Sequence, residues 1–138
     1  MQSLIALGKM KEFAAEHGYY YSVKGAVVKN DGRGSRIGFP TANIKISSDE
    51  TPLRGVYAVK VKVSGALYNG IANVGYAPTF GRNEFMVEVH IFCFSQDIYG
   101  KSIEILFVDF LREERKFDSV EQLVGQIRKD IEKAKEIL

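Results

Sequence analysis

The sequence predicts a mainly β protein, a closed or nearly closed antiparallel barrel with a helix at each end of the chain. Three observations lead to this prediction. Runs of alternating or β-branched residues recur at short intervals between Tyr19 and Leu111, 13 glycines supply turn positions, and helical periodicity is confined to the two ends. A chain of 138 residues accommodates one such domain but not two cores of ordinary size.

The composition is that of an ordinary globular domain and excludes several classes of protein. With 46% hydrophobic and 26% charged residues, the chain is typical of neither a disordered protein nor a coiled coil. A net charge of +2 gives no support for a nucleic-acid partner, and no apolar run is long enough to span a membrane. The single cysteine, Cys93, excludes an internal disulfide and is expected to be buried. We therefore expect a cytoplasmic protein, and a monomer because no apolar stripe is left unassigned.

The first third of the chain divides into a helix, a strand and a polar loop. Residues 1–18 predict a short helix that ends at Gly18, because apolar residues recur at helical spacing. Residues 19–29 are rich in aromatic and β-branched residues and predict a strand. Residues 30–36 contain no apolar side chain and predict an exposed loop.

The middle of the chain contains the clearest strand, Gly55 to Val63, in which apolar residues alternate with lysines. The turn that follows lies at Ser64-Gly65 or at Asn69-Gly70, and the cleaner alternation favours Ser64-Gly65.

Two more strands and a helix complete the predicted fold. Residues 85–94 and 103–111 are predicted strands, and the short connection between them predicts that they are antiparallel neighbours. Asp118 and Glu121 have the spacing of a capping box, and an apolar stripe at helical spacing follows them to the C-terminus.

The most informative stretch for function runs from Gly32 to Asn43. Its glycines and arginines can bring backbone amides and guanidinium groups close to phosphate oxygens. Thr41 and Asn43 lie two residues apart, so in an extended segment their neutral oxygens point the same way and suit a hard cation such as Mg²⁺. The alternative is a flexible hairpin loop in which Pro40 fixes a bend and both polar side chains bond their own backbone.

A second candidate site lies in the strand 85–94, where Glu88 and His90 interrupt two largely apolar faces. Because a buried carboxylate is costly unless it is paired or used, Glu88 is a candidate general base. The alternative is a structural hydrogen bond from Glu88 to His90 or to an arginine. The charged segment 111–117 is either a solvated connection or part of the mouth of the barrel.

Several separated motifs occur together in a fixed order. They are Gly34-Ser-Arg-Ile-Gly38-Phe-Pro-Thr-Ala-Asn43, Gly55-Val-Tyr57, Ile71-Ala-Asn-Val-Gly75 with Pro78-Thr79, Glu88-Val-His90, Tyr99-Gly100, and Leu111-Arg112 with Phe117. This series resembles the riboflavin kinase (flavokinase) family, which in bacteria forms the C-terminal half of the bifunctional riboflavin kinase/FAD synthetase.

The resemblance implies a six-stranded antiparallel Greek-key barrel with a C-terminal helix. It also implies transfer of the γ-phosphoryl group of ATP, with Mg²⁺, to the 5′-hydroxyl of riboflavin, which gives FMN and ADP. The residues that match the family's site are Gly32, Arg33, Gly34, Arg36, Gly38, Pro40, Thr41 and Asn43 for the nucleotide, Thr41 and Asn43 for the metal, Glu88 as catalytic base, and Arg112 and Phe117 for the flavin.

The resemblance also bears on the extent of the domain. It implies a kinase domain over residues 19–138, preceded by a linker-like helical segment over 1–18. The histidine-containing nucleotide motif of the adenylyltransferase half has no counterpart, since the only histidines are His17 and His90. We therefore expect no FAD synthesis from this chain, which is either a separate kinase or one domain of a longer parent. The alternative function is a flavin-binding barrel without catalysis.

Overall fold

Six antiparallel strands close into one barrel in the computed structural model, which describes residues 9–28, 38–46, 51–79 and 82–138. The strands are β1 (Tyr21–Val28), β2 (Ala42–Lys45), β3 (Gly55–Val63), β4 (Ala66–Thr79), β5 (Arg82–Ile91) and β6 (Ser102–Arg112). The helices are α1 (Met10–His17) and α2 (Val120–Ile137). The predicted six-stranded barrel with a short N-terminal and a longer C-terminal helix is confirmed.

The strand order around the barrel is β1-β2-β5-β4-β3-β6, and β6 pairs with β1 to close it. Strands β3, β4 and β5 follow one another in space, and β6 returns to lie beside β3, which is a Greek key. The prediction that the strands over 85–94 and 103–111 are neighbours is wrong. Residues 92–101 carry the chain past two intervening strands, so a short connection did not imply pairing here.

Successive side chains of each strand point to opposite faces, so the barrel wall separates two hydrophobic clusters. Side chains that point into the barrel fill its interior, and on β3 these are Tyr57, Val59, Val61 and Val63. A second cluster lies on the outer wall beneath α2, where Val56 and Ala58 of β3 meet Ala134. Because the period of a strand is two, each strand contributes alternate residues to the core and to the outer wall.

The two helices are held by local features at their ends. Gly18 ends α1 in the left-handed region at φ 80°, as predicted. The predicted capping box of Asp118 and Glu121 is wrong: the N-cap of α2 is Ser119, whose hydroxyl accepts a hydrogen bond from the Gln122 amide at 3.2 Å. Ser119 has the extended backbone of an N-cap, and the Asp118 amide, which Glu121 would reach in the predicted box, donates instead to the Gln122 side chain at 3.2 Å.

The turn between β3 and β4 is the predicted one. Ser64 and Gly65 both have positive φ, 49° and 84°, as a two-residue hairpin turn requires. The prediction of a buried Cys93 is wrong, because β5 ends at Ile91 and Cys93 lies exposed in the turn after it.

Candidate functional site

One row of side chains crosses the outer wall of the barrel and contains three of the predicted site residues. The register places Asn43 of β2 opposite Glu88 of β5, Glu88 opposite Asn73 of β4, Asn73 opposite Val56 of β3, and Val56 opposite Arg112 of β6. Directly opposed residues of antiparallel strands share a face. We call these five residues the outer row. At the usual spacing of about 4.8 Å between neighbouring strands, its four steps span about 19 Å.

Asn43 stands at the β2 end of the outer row and is 1% exposed. Neither its carboxamide oxygen nor its nitrogen has a hydrogen-bond partner among the described residues. A buried polar group without a partner is costly, so an unpaired carboxamide beside Glu88 fits a position that a ligand completes. Thr41, half-buried, directly precedes β2.

The donor set at this end of the row suits Mg²⁺ that arrives with a nucleotide. Thr41 and Asn43 offer neutral oxygens, and Glu88 offers a carboxylate across the strand pair. Within the described ranges, no group of three or more histidine, cysteine, aspartate or glutamate side chains is placed to hold a metal. Neutral ligands leave most of the charge of the ion for phosphate oxygens, so these residues fit a cation shared with a nucleotide.

His90 anchors the segment that leads into β2. Its Nδ1 donates a hydrogen bond to the carbonyl oxygen of Pro40 at 2.9 Å, and its ring meets that of Phe39 edge to face at 5.8 Å. Gly38, two residues before Pro40, has φ 91° and is exposed. The remaining predicted nucleotide residues, Gly32, Arg33, Gly34 and Arg36, lie outside the described residues.

A cavity of about 380 Å³ opens next to Thr41, between β1, β2, β5 and the connection from β5 to β6. Its wall is mostly apolar and includes two aromatic rings, with polar side chains contributed by the connection. The lining residues are Val27, Pro40, Thr41, Ala42, Val89, Ile91, Phe94, Ser95, Gln96, Asp97, Ile98 and Tyr99. Its volume and its mixture of apolar wall and few polar groups are those of a small-molecule site.

Arg112 stands at the other end of the outer row and is tied to α2. Its guanidinium donates to both carboxylate oxygens of Asp130 at 2.9–3.1 Å. A further Arg112 hydrogen bond reaches the Glu113 carbonyl at 3.0 Å, and Asp130 also accepts from Gln126 at 3.0 Å. The pairing of β3 with β6 shifts register beside Val56, and this bulge lets Arg112 reach the helix.

The segment after Arg112 folds back over the wall. The Phe117 ring lies 5.8 Å from the Arg112 guanidinium carbon and 5.2 Å from that of Arg115. The Glu114 carboxyl packs against Gly75 of β4, where a Cβ atom would overlap it. Burial raises the pKa of Glu114, while the charge of Arg112 acts in the opposite direction.

The structure therefore places the predicted residues in two groups joined by the outer row. Thr41, Asn43 and Glu88 lie together at one end, and Arg112 and Phe117 lie together at the other. Sequence reasoning assigned no role to the residues between and behind them, although Asn73 lies within one of the quoted motifs. Asn73 carried a signal as a polar residue flanked by Ala72 and Val74, and Asp130 as a carboxylate within the apolar stripe of α2.

The fold and the site define a class of protein. It is a closed six-stranded barrel whose interior is filled by side chains and whose candidate site lies along the outer row. The family model of riboflavin kinase matches residues 17–138. The bifunctional riboflavin kinase/FMN adenylyltransferase of Haemophilus influenzae is 47% identical over 116 residues, which are 83% of this chain and 38% of that protein. The protein of the same name from Bacillus subtilis is 44% identical over 121 residues, or 85% of this chain and 38% of its own length. The chain belongs to the riboflavin kinase family.

Solved structures support the fold. A chain named as a macrolide-efflux protein from Streptococcus pneumoniae superposes with a TM-score of 0.84 at 40% identity, covering 96% of this chain and 44% of that one. Riboflavin kinase from Trypanosoma brucei superposes with a TM-score of 0.61 at 26% identity, covering 87% and 80%. In the part of the chain that the structure describes, no helix is both long and apolar enough to cross a membrane. The chain spans well under half the length of the two curated relatives.

Proposed function

We propose that this chain transfers the γ-phosphoryl group of Mg²⁺-ATP to the 5′-hydroxyl of riboflavin, giving FMN and ADP. The observation that carries the proposal is the buried, unpaired carboxamide of Asn43 directly opposite Glu88 on the outer wall. Membership of the riboflavin kinase family supplies the identity of the two substrates.

The order of groups along the wall fits the order of groups in the two substrates. A purine base matches the apolar cavity beside Thr41, and the phosphates then lie at Thr41 and Asn43. Glu88 comes next, where the acceptor hydroxyl is needed. The flavin ring falls at the far end, between the wall and the segment with Arg112 and Phe117.

The reaction needs one bond to form and one to break, and the residues divide that work. The 5′-oxygen of riboflavin attacks the γ-phosphorus, the bond from that phosphorus to the bridging oxygen of ADP breaks, and the Glu88 carboxylate accepts the hydroxyl proton. Mg²⁺, when bound with the nucleotide, neutralises charge on the phosphate oxygens. Thr41 and Asn43 would hold that ion and so orient the phosphates, which makes Asn43 a positioning residue.

The proposal is limited to the kinase reaction. The curated relatives carry an adenylyltransferase activity in their names and are more than twice as long as the matched region, so FAD synthesis is not proposed for the segment described. The proposed partners are ATP, riboflavin and Mg²⁺, and the proposed location is the cytoplasm, where ATP is available. The domain division at residues 18 and 19 and the monomeric state remain part of the same proposal.

The test is whether FMN forms from riboflavin and ATP in reactions with and without Mg²⁺, with chromatography to detect the product. Glu88→Gln is expected to lower kcat by about 10²–10⁴-fold, the usual contribution of a general base. The matched control is Glu84→Gln on the same strand and the same face, which removes the carboxylate that pairs with Lys45 at 3.3 Å and should retain near-normal kcat. Binding of riboflavin without FMN formation under any divalent cation contradicts the proposal and favours the flavin-binding barrel.

A further inference from the structure

Asn73 occupies the centre of the outer row and has no part in the assignments made so far. It lies on β4 directly opposite Glu88 on one side and Val56 on the other. Opposed side chains of an antiparallel pair have Cβ atoms about 4.5–5.5 Å apart, so its carboxamide lies within reach of any group held at Glu88.

The surroundings of Asn73 leave its side chain open. On the same face of β4, Ile71 is covered by the cluster beneath α2, and Gly75 is covered by the Glu114 carboxyl. Asn73, between these two covered positions, is exposed. In the ranges that the structure describes, its carboxamide makes no hydrogen bond to another residue. The middle of the outer row is therefore exposed to solvent between α2 and the segment that follows β6.

An asparagine is a poor choice for this position on structural grounds alone. Asparagine is depleted in strand interiors, and its neighbours in the sequence, Ala72 and Val74, are ordinary buried residues of the core. Its side chain neither caps a turn nor ends a strand, since β4 continues for six residues beyond it. A carboxamide, with two donors and an acceptor, matches hydroxyl groups that both donate and accept.

We infer that Asn73 hydrogen-bonds the secondary hydroxyls of the ribityl chain and so selects flavins that carry a polyol. The inference rests on the proposed function, which sets the acceptor hydroxyl at Glu88 and the flavin ring toward Arg112. The chain that joins those two parts of riboflavin must then cross Asn73, one strand from Glu88 and two strands from Arg112. Asn73 is accordingly a specificity-determining residue and transfers no proton.

The test compares two acceptors that differ only in the polyol: riboflavin, and an isoalloxazine with a 5-hydroxypentyl chain. Both keep the terminal hydroxyl, so both remain substrates for phosphoryl transfer. For Asn73→Ala, the preference for riboflavin in kcat/KM should fall about tenfold, which is about 1.4 kcal/mol. The loss should appear in KM for riboflavin, because no charge develops on the secondary hydroxyls during the reaction.

The matched control is Asn69→Ala, an exposed asparagine on the same face of the same strand, whose side chain accepts a hydrogen bond from Lys60 at 3.2 Å. That variant should leave the preference unchanged. The affinity for each flavin, measured by the quenching of flavin fluorescence, gives the preference between the two flavins without turnover.

The outcomes separate the inference from the proposed function. An unchanged preference in Asn73→Ala, or an equal loss with both flavins, overturns the inference while FMN formation by the wild-type protein still supports the kinase. Absence of FMN formation in the wild-type protein overturns the kinase, and the binding ratio then decides the inference alone. Thermal unfolding of Asn73→Ala checks that the variant remains folded.

Discussion

Removal of the charge on Asp130 should be among the most destabilising single changes in the molecule. Asp130 is a buried carboxylate of α2, with a side chain 5% exposed, and the Arg112 side chain that it holds is 18% exposed. Asp130→Asn keeps the shape of the side chain but leaves the guanidinium without its counter-charge. Breaking a buried ion pair by removing one partner costs about 3–5 kcal/mol.

The structure places the expected loss at the lower end of that range. Arg112 keeps some contact with solvent and its hydrogen bond to the Glu113 carbonyl, so its charge is only partly stranded. We expect a loss of about 3 kcal/mol in the free energy of unfolding. With a urea m-value of about 2 kcal/mol/M, this loss lowers the urea midpoint by about 1.5 M.

Two further variants of the chain make the measurement of unfolding free energy decisive. Lys62→Gln removes the exposed partner of the pair Lys62–Glu104, whose charged atoms are 3.9 Å apart, and should cost less than about 1 kcal/mol. The double variant Arg112→Met with Asp130→Leu replaces both charges by apolar side chains and should recover at least half of the loss. A loss below about 1 kcal/mol in Asp130→Asn, or a double variant as unstable as the single one, would refute the reasoning.

Three other changes test separate parts of the fold. Tyr57→Phe removes a hydroxyl that donates to the Arg54 carbonyl at 2.9 Å and accepts from the Arg54 amide at 3.0 Å, so urea unfolding should show a loss of about 1–3 kcal/mol; an unchanged midpoint contradicts this. Burial raises the pKa of Glu114 above 4.5, so the contribution of this residue to stability is present below that pH and is lost as the pH rises through the folded-state pKa. Glu114→Gln should therefore gain stability relative to wild type as the pH rises above 4.5 in urea unfolding, and a difference that does not change with pH would contradict this. Gly70→Ala places a Cβ 2.5 Å from a carbonyl oxygen of β5 and should lower the thermal midpoint, whereas Gly125→Ala in α2 meets nothing within 4 Å and should raise it; equal shifts would contradict the crowding at Gly70.

Local patterns in the sequence predicted where the strands and helices lie better than they predicted which strands pair with each other. The alternation from Gly55 to Val63 identified both the bounds of β3 and the face that enters the core. The pairing of the strands around 85–94 and 103–111 failed, because loop length carries no information once the chain crosses the end of a closed barrel. The N-cap of α2 moved by one residue, from Asp118 to Ser119, since a hydroxyl and a carboxylate both suit that position and only the backbone decides.

The candidate site shows the same division. Thr41, Asn43 and Glu88 were identified by residue type and motif, but their proximity depends on the pairing of β2 with β5, which no local pattern encodes. Asn73 enters the site through the same long-range register. Asp130 was hidden because a charged residue in an apolar stripe becomes informative only when its partner on β6 is known.

Closure of the barrel by β6 determines when the site can exist during folding. Tyr21 of β1 pairs with Phe107 of β6, which lies far from it in the sequence, and β6 also supplies the second neighbour of β3. Until β6 has been synthesised and has docked, β1 and β3 each present an unpaired edge, which is a template for association with other chains. Contacts between distant parts of a sequence also form slowly. Because Arg112 is the last residue of that strand, the outer row is complete only after both edges have been closed, so a nascent chain passes its period of greatest aggregation risk before it has a complete site.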